Sequence, residues 1–132
     1  MSNWLCDSNV ISELMSRFAN PKVLAWASAQ DSFGLSVVTV EEIYCGLEHK
    51  KLVNKEAWFE RFLEYRCSLL PVNASIAARA GQERGRFLAR GMVRTQADMI
   101  IAATAWKYEL TLVTRNTKDF SGSGVPLLNP FE

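Results

Sequence analysis

The chain has 132 residues, with 15 lysines and arginines against 14 aspartates and glutamates, one histidine, three cysteines and 48% hydrophobic residues. This length suits a single domain over residues 1–132, and the apolar share excludes a disordered or purely solvating segment. Cys6, Cys45 and Cys67 show no CxxC spacing, which argues against a disulfide scaffold, and the near-neutral charge excludes a bulk electrostatic case for nucleic-acid binding.

Short apolar runs alternate with longer helical patterns, which predicts an α/β fold with a mainly parallel sheet. The first strand is expected at Trp4–Cys6. It is too short for a signal segment and is followed at once by Asp7. After Asp7-Ser8-Asn9, the residues Val10, Ile11, Leu14 and Phe18 recur on one helical stripe. Asn20-Pro21 marks a second helix start, with Val23, Leu24, Trp26 and Ala27 as its core face. A second strand is expected at Phe33–Ser36, then a helix capped by Thr39 that buries Val40, Ile43 and Leu47. Asn54 precedes a further helix carrying Trp58, Phe59, Phe62 and Leu63. The third strand is placed at Ser68–Pro71, and a long helix then runs from Asn73 through Arg84, Phe87 and Leu88 to Gly91. Thr95 opens the last long helix, whose residues Met99–Trp106 are apolar nearly all round, the pattern of a helix set centrally against a sheet. That apolar run falls well short of the roughly 18 residues of a membrane span, so a soluble cytoplasmic protein with no membrane partner is expected. Strands at Thr111–Thr114 and Val125–Leu128 complete the pattern.

In a parallel sheet the ligand crevice lies at the carboxyl ends of the strands. Asp7 follows the first strand. Glu42 and Asp98 fall in the first turns of two helices, and Asp119 follows the fourth strand with Asn116 between them. Thr39 to Glu42 and Thr95 to Asp98 also match the capping box, which would explain both acids with no functional role. Asp7 could be a plain helix cap and Asp119 a turn residue. Taken together the acids are harder to explain in that way. At a separation of about 4 Å and an effective dielectric of about 20, each like-charged pair costs on the order of 4 kcal/mol before screening. Helix N-termini offset only about 0.3–1 kcal/mol each. A divalent cation removes the deficit, and all-oxygen ligands favour Mg²⁺ or Mn²⁺ over Zn²⁺. Such an ion binds phosphate oxygen and acidifies water, which points to phosphodiester hydrolysis.

Other chemistries have less support. His49 stands in a polar run read as a solvated helix end, and Cys6 and Cys45 are read as core fillers. No P-loop or dinucleotide fingerprint is present. Residues 79–94 carry five arginines (Arg79, Arg84, Arg86, Arg90, Arg94) and one acid, Glu83, while the remainder has ten basic and thirteen acidic residues. This strip could hold phosphates of a polyanion lying across the crevice, with Arg86 as the chosen contact, or it could be a solvated helix face. Arg84, on the apparent apolar stripe, could serve a structural ion pair.

The same residues resemble a known family. Leu5-Cys6-Asp7-Ser8-Asn9-Val10-Ile11-Ser12-Glu13-Leu14 is similar to the opening of PIN-domain toxins of the VapC/FitB group, and so is Ser36–Leu47, with Glu42 at the acidic position. Ala97–Ala105, with Asp98, resembles the third motif and Thr111–Phe120 the fourth. Val125–Pro130 fits the ending. Ser8 stands where threonine is usual, and relatives place the fourth acid at the position of either Asn116 or Asp119. The resemblance implies a three-layer α/β/α sandwich and a Mg²⁺- or Mn²⁺-dependent endoribonuclease. It further implies a toxin that forms homodimers and is neutralised by a cognate VapB-like antitoxin, with operator DNA bound only through that antitoxin. On this reading Asp7 and Asp98 ligate the metal, and Glu42 binds a second ion or a water and acts as general base. Asp119 and Asn116 complete the ring, with Asn9 and Thr114 orienting ligands. A rival reading keeps the fold but makes the chain a binding module that regulates transcription within the antitoxin complex. A phosphatase or phospho-receiver fits less well, because the paired or clustered aspartates those enzymes need are missing.

Overall fold

The computed structural model describes residues 2–132. Five strands, β1 (Trp4–Cys6), β2 (Phe33–Ser36), β3 (Cys67–Leu70), β4 (Thr111–Val113) and β5 (Leu127–Leu128), form one sheet in the order β3-β2-β1-β4-β5. Every pairing is parallel. The helices are α1 (Ser8–Met15), α2 (Pro21–Ser28), α3 (Val37–Lys50), α4 (Val53–Arg66), α5 (Ala74–Ala89), α6 (Gln96–Lys107) and α7 (Thr117–Phe120).

Helices on both faces make the three-layer α/β/α sandwich anticipated from the pattern. Successive strand residues point to opposite faces, so each strand feeds two cores. Leu5 and Leu112 join Ile76, Phe87, Met99 and Phe120 on the side of α5, α6 and α7. Cys6 and Val113 join Val10, Ile11, Phe59 and Phe62 on the side of α1 to α4, where Phe33 and Leu35 of β2 also lie. The α6 helix buries Met99, Ile101, Ala102, Ala103, Thr104 and Ala105, as expected of a helix seated against the sheet. Gly34 of β2 has no room for a side chain. A Cβ there would stand 2.8 Å from the Trp4 carbonyl oxygen and 3.4 Å from Leu70 Cδ1.

Several local expectations are corrected. Ser36, not Thr39, caps α3: its Oγ accepts from the Val38 N–H at 3.1 Å, and Thr39 is buried inside the helix. Leu52, not Asn54, precedes α4, and no side-chain bond caps it. The α1 helix ends at Met15, so Phe18 leaves the buried stripe and is 84% exposed. Leu24 and Leu88 are exposed as well. Cys45 is an exposed free thiol rather than a core filler, whereas Cys6 is buried as expected.

Strands β1 and β4 are neighbours, yet the chain leaves them in opposite directions across the sheet. This reversal of strand order opens a crevice beyond their carboxyl ends.

Candidate active site

Asp7 caps α1 at the end of β1, and it is only 5% exposed. Its Oδ1 accepts the Ser8 backbone N–H at 2.8 Å. Its Oδ2 accepts the Thr114 hydroxyl at 2.8 Å and Asn9 Nδ2 at 3.1 Å. Thr114 is fully buried just beyond β4, and its Oγ1 accepts the Asn116 N–H at 3.0 Å. Asn9 also donates to Thr114 Oγ1 at 3.3 Å and accepts the Arg115 N–H at 3.0 Å. Residues about a hundred positions apart are thereby tied into one network across the strand reversal. A buried carboxylate with this many donors is held in one orientation.

Glu42 approaches from α3. That helix starts at Val37, with no acid in its first turn, so Glu42 is not a capping-box acid. Its Oε1 is buried without a hydrogen-bond partner. Burial, then the charges of Asp7, Asp98 and Glu41, raise the Glu42 carboxyl from its ordinary value. Asp98 does lie in a first turn: Thr95 caps α6, and its Oγ1 accepts the Asp98 N–H at 3.0 Å. Burial is the main cause of a raised Asp98 carboxyl. The Thr95 hydroxyl and Arg94 oppose the rise, and Asp7 and Asp119 add to it. Asp7, Glu42 and Asp98 therefore converge from three elements, with Asp119 of α7 within electrostatic reach of Asp98.

Of the two residues after β4, Asp119 brings charge to the cluster, while the exposed Asn116 is anchored through its backbone to Thr114. Arg86 is elsewhere engaged: it is exposed, and its Nη2 donates to Glu83 Oε1 at 2.8 Å. Arg79 pairs with the same glutamate at 3.3 Å, so the basic strip is partly neutralised within α5. Arg84 is exposed, and no ion pair to it is found among the described residues. The arginine beside the carboxylates is Arg94. Its guanidinium lies 4.7 Å from the Phe87 ring, its Nη2 donates to the Ser121 carbonyl at 3.4 Å, and its buried Nε has no partner. The sequence signal for it was adjacency to Thr95, the cap of the helix that carries Asp98. His49 is exposed at the end of α3, as expected.

Among the described residues, no three carboxylate, imidazole or thiol groups close on one point as a preformed metal cage. The donor set nonetheless suits a hard cation. It is all oxygen, it is mutually repulsive, and it includes a buried Glu42 oxygen lacking a hydrogen bond. Magnesium is commonly held by one or two carboxylates and retained waters, without an all-protein cage.

Among the described residues, no helix is long and apolar enough to cross a membrane. The sequence profile of the PIN domain matches residues 4–122. The chain is 31% identical to VapC ribonuclease Y4jK of Sinorhizobium fredii over 134 residues, covering 96% of each chain. It is 34% identical to toxin FitB of Neisseria gonorrhoeae over 136 residues, covering 96% of this chain and 97% of FitB. A solved toxin–antitoxin complex from Klebsiella pneumoniae contains a chain of the same fold, with a TM-score of 0.77, 27% identity and coverage of 97% and 98%. Matched over nearly its whole length, the chain belongs to the PIN-domain family, with VapC and FitB toxins among its relatives.

Proposed function

We propose that the chain is an endoribonuclease toxin of a type II toxin–antitoxin module, hydrolysing RNA phosphodiester bonds with Mg²⁺ or Mn²⁺. The observation that carries this reading is the convergence of Asp7, Glu42 and Asp98 at the strand reversal, with one Glu42 oxygen buried and unbonded. The relatives named as a VapC ribonuclease and a toxin support the substrate class, and the toxin–antitoxin complex supports a cognate antitoxin as partner.

Asp7 and Asp98 would hold the ion directly, with Glu42 reaching it directly or through water. When bound, such an ion neutralises charge at the phosphate and lowers the pKa of a coordinated water. The protein supplies the rest. Thr114 and Asn9 keep the Asp7 carboxylate aimed. Glu42, whose raised carboxyl holds a proton more readily than an exposed glutamate, serves as general base toward the attacking water. Arg94, fixed against Phe87, offers its guanidinium to a phosphate oxygen in the role expected of Arg86. Asp119 would add negative charge near Asp98, and Asn116, anchored to Thr114 through its backbone, would complete the ring. Water attacks phosphorus in line, forming one P–O bond as the bond to the leaving sugar oxygen breaks.

The test is cleavage of single-stranded RNA by the purified, partner-free chain. Cleavage with Mg²⁺ or Mn²⁺, abolished by EDTA and reduced at least about a hundredfold in Asp7→Asn and Asp98→Asn, is expected. Full activity in both variants refutes the assigned roles. An inactive wild type with bound metal confirmed favours the binding-module reading.

A further inference from the structure

A cleft of about 300 Å³ leaves the carboxylate cluster along the seam between α1 and α3. Ser8 and Glu42 stand at its upper end, Ser12 and Gly46 along it, and Lys50 and Lys55 at the lower end. Glu42, Gly46 and Lys50 are spaced at four-residue intervals and so line one side of α3, covering about 12 Å along its axis. Ser8 and Ser12 repeat the same spacing on α1. Among the described residues, Glu42 is the only acid lining the cleft. Neither lysine takes part in an ion pair among the described residues. Gly46 keeps the floor low: a Cβ built there meets nothing within 4 Å.

Met15, Ile43, Leu47 and Leu52 make much of the wall apolar. The two unpaired ammonium groups and the two serine hydroxyls are therefore what would select an anion there, and Glu42 joins the channel to the site that would process a phosphodiester. We propose that this cleft binds the backbone of single-stranded RNA beside the scissile bond, with Lys50 and Lys55 holding a flanking phosphate and the Ser8 and Ser12 hydroxyls bonding the chain between. The inference rests on the ribonuclease reading for the identity of the polyanion. It adds a second basic face to the partly neutralised arginine strip of α5.

The test measures binding of a short fluorescent oligouridine in EDTA, where cleavage is suppressed, by fluorescence anisotropy at several salt concentrations. The Lys50→Ala/Lys55→Ala double variant is expected to bind roughly tenfold more weakly, with the slope of log affinity against log salt reduced by about 1.4, the value for two lost single-strand phosphate contacts. Gly46→Phe, which fills the channel and leaves both charges in place, is expected to weaken binding to a similar degree. Circular dichroism establishes that both variants are folded, and Arg86→Ala should bind like wild type. Binding that is absent, or indifferent to the lysines, overturns the proposal. Loss with the lysine variant but not with Gly46→Phe would show charge acting at a distance, and also overturns it. So would unchanged RNA binding with weakened capture of the cognate antitoxin. RNA binding with the expected lysine and glycine dependence, but no cleavage in Mg²⁺ or Mn²⁺, would leave the cleft standing and remove the ribonuclease reading.

Discussion

At the residue scale, the site sets a carboxylate supplied with hydrogen bonds against one that is short of them. Asp7 accepts from Ser8, Asn9 and Thr114, whereas Glu42 has a buried oxygen with no donor and negative neighbours. Both Glu42 and Asp98 are raised from their ordinary values, chiefly by burial. The folded chain therefore binds these protons more tightly than the unfolded chain. Their contribution is least unfavourable at low pH and becomes destabilising as pH rises through the raised folded values. In EDTA, the Glu42→Gln variant should be more stable than wild type at neutral pH, and this advantage should shrink as the pH falls toward about 4. Urea midpoints of the two proteins across that range check this; a glutamine variant less stable at pH 7, or a constant difference, contradicts it. Asp7 and Asp98 were legible in the sequence because each stands at an element boundary. Arg94 was passed over for Arg86 because both lie in one basic run; what sets Arg94 apart is its place in the loop before α6, next to the Thr95 cap and four residues ahead of Asp98.

At the element scale, the direct passage from β2 into α3 decides where Glu42 points. The strand ends at Ser36, which is also the helix cap, so α3 begins three residues before the start implied by a Thr39 cap. Ser36 was read only as the end of the strand; with Val38 packed against the neighbouring core and Thr39 buried inside the helix, the serine hydroxyl is the one left free to cap it. The strands themselves were readable to within a residue or two because both faces of the sheet are covered and the apolar runs are short and continuous. Phe18 was misplaced because its helical periodicity continues beyond Met15 while the backbone turns away at Ser16. Gly34 shows how tightly β1 and β2 approach. Gly34→Val should destabilise the fold by about 1–3 kcal/mol through overpacking against the Trp4 carbonyl and Leu70. Gly46→Ala on α3, facing open space, should instead stabilise it by roughly 0.5–1 kcal/mol. Chemical denaturation of the two variants checks the contrast; a tolerated valine at position 34 would contradict the packing described for β2.

At the scale of the whole molecule, two hydrophobic cores fix the sheet from either side, and the strand reversal then collects acids from α1, α3, α6 and α7 at one edge. The fold class and this collection could be anticipated, since parallel strands place their carboxyl ends on a common edge. The cationic cleft was not legible, because Lys50 and Lys55 belong to two helices whose juxtaposition the local pattern does not specify. The architecture thus holds repelling carboxylates together at a cost that a divalent cation would offset. The most direct measurement of that balance is the thermal midpoint of wild type, Glu42→Gln and Asp98→Asn with EDTA and with increasing Mn²⁺. A saturable rise in the wild-type midpoint, abolished by EDTA and strongly reduced in Asp98→Asn, is the predicted result. A wild-type midpoint indifferent to Mn²⁺, or a rise of equal size in Asp98→Asn, would contradict it.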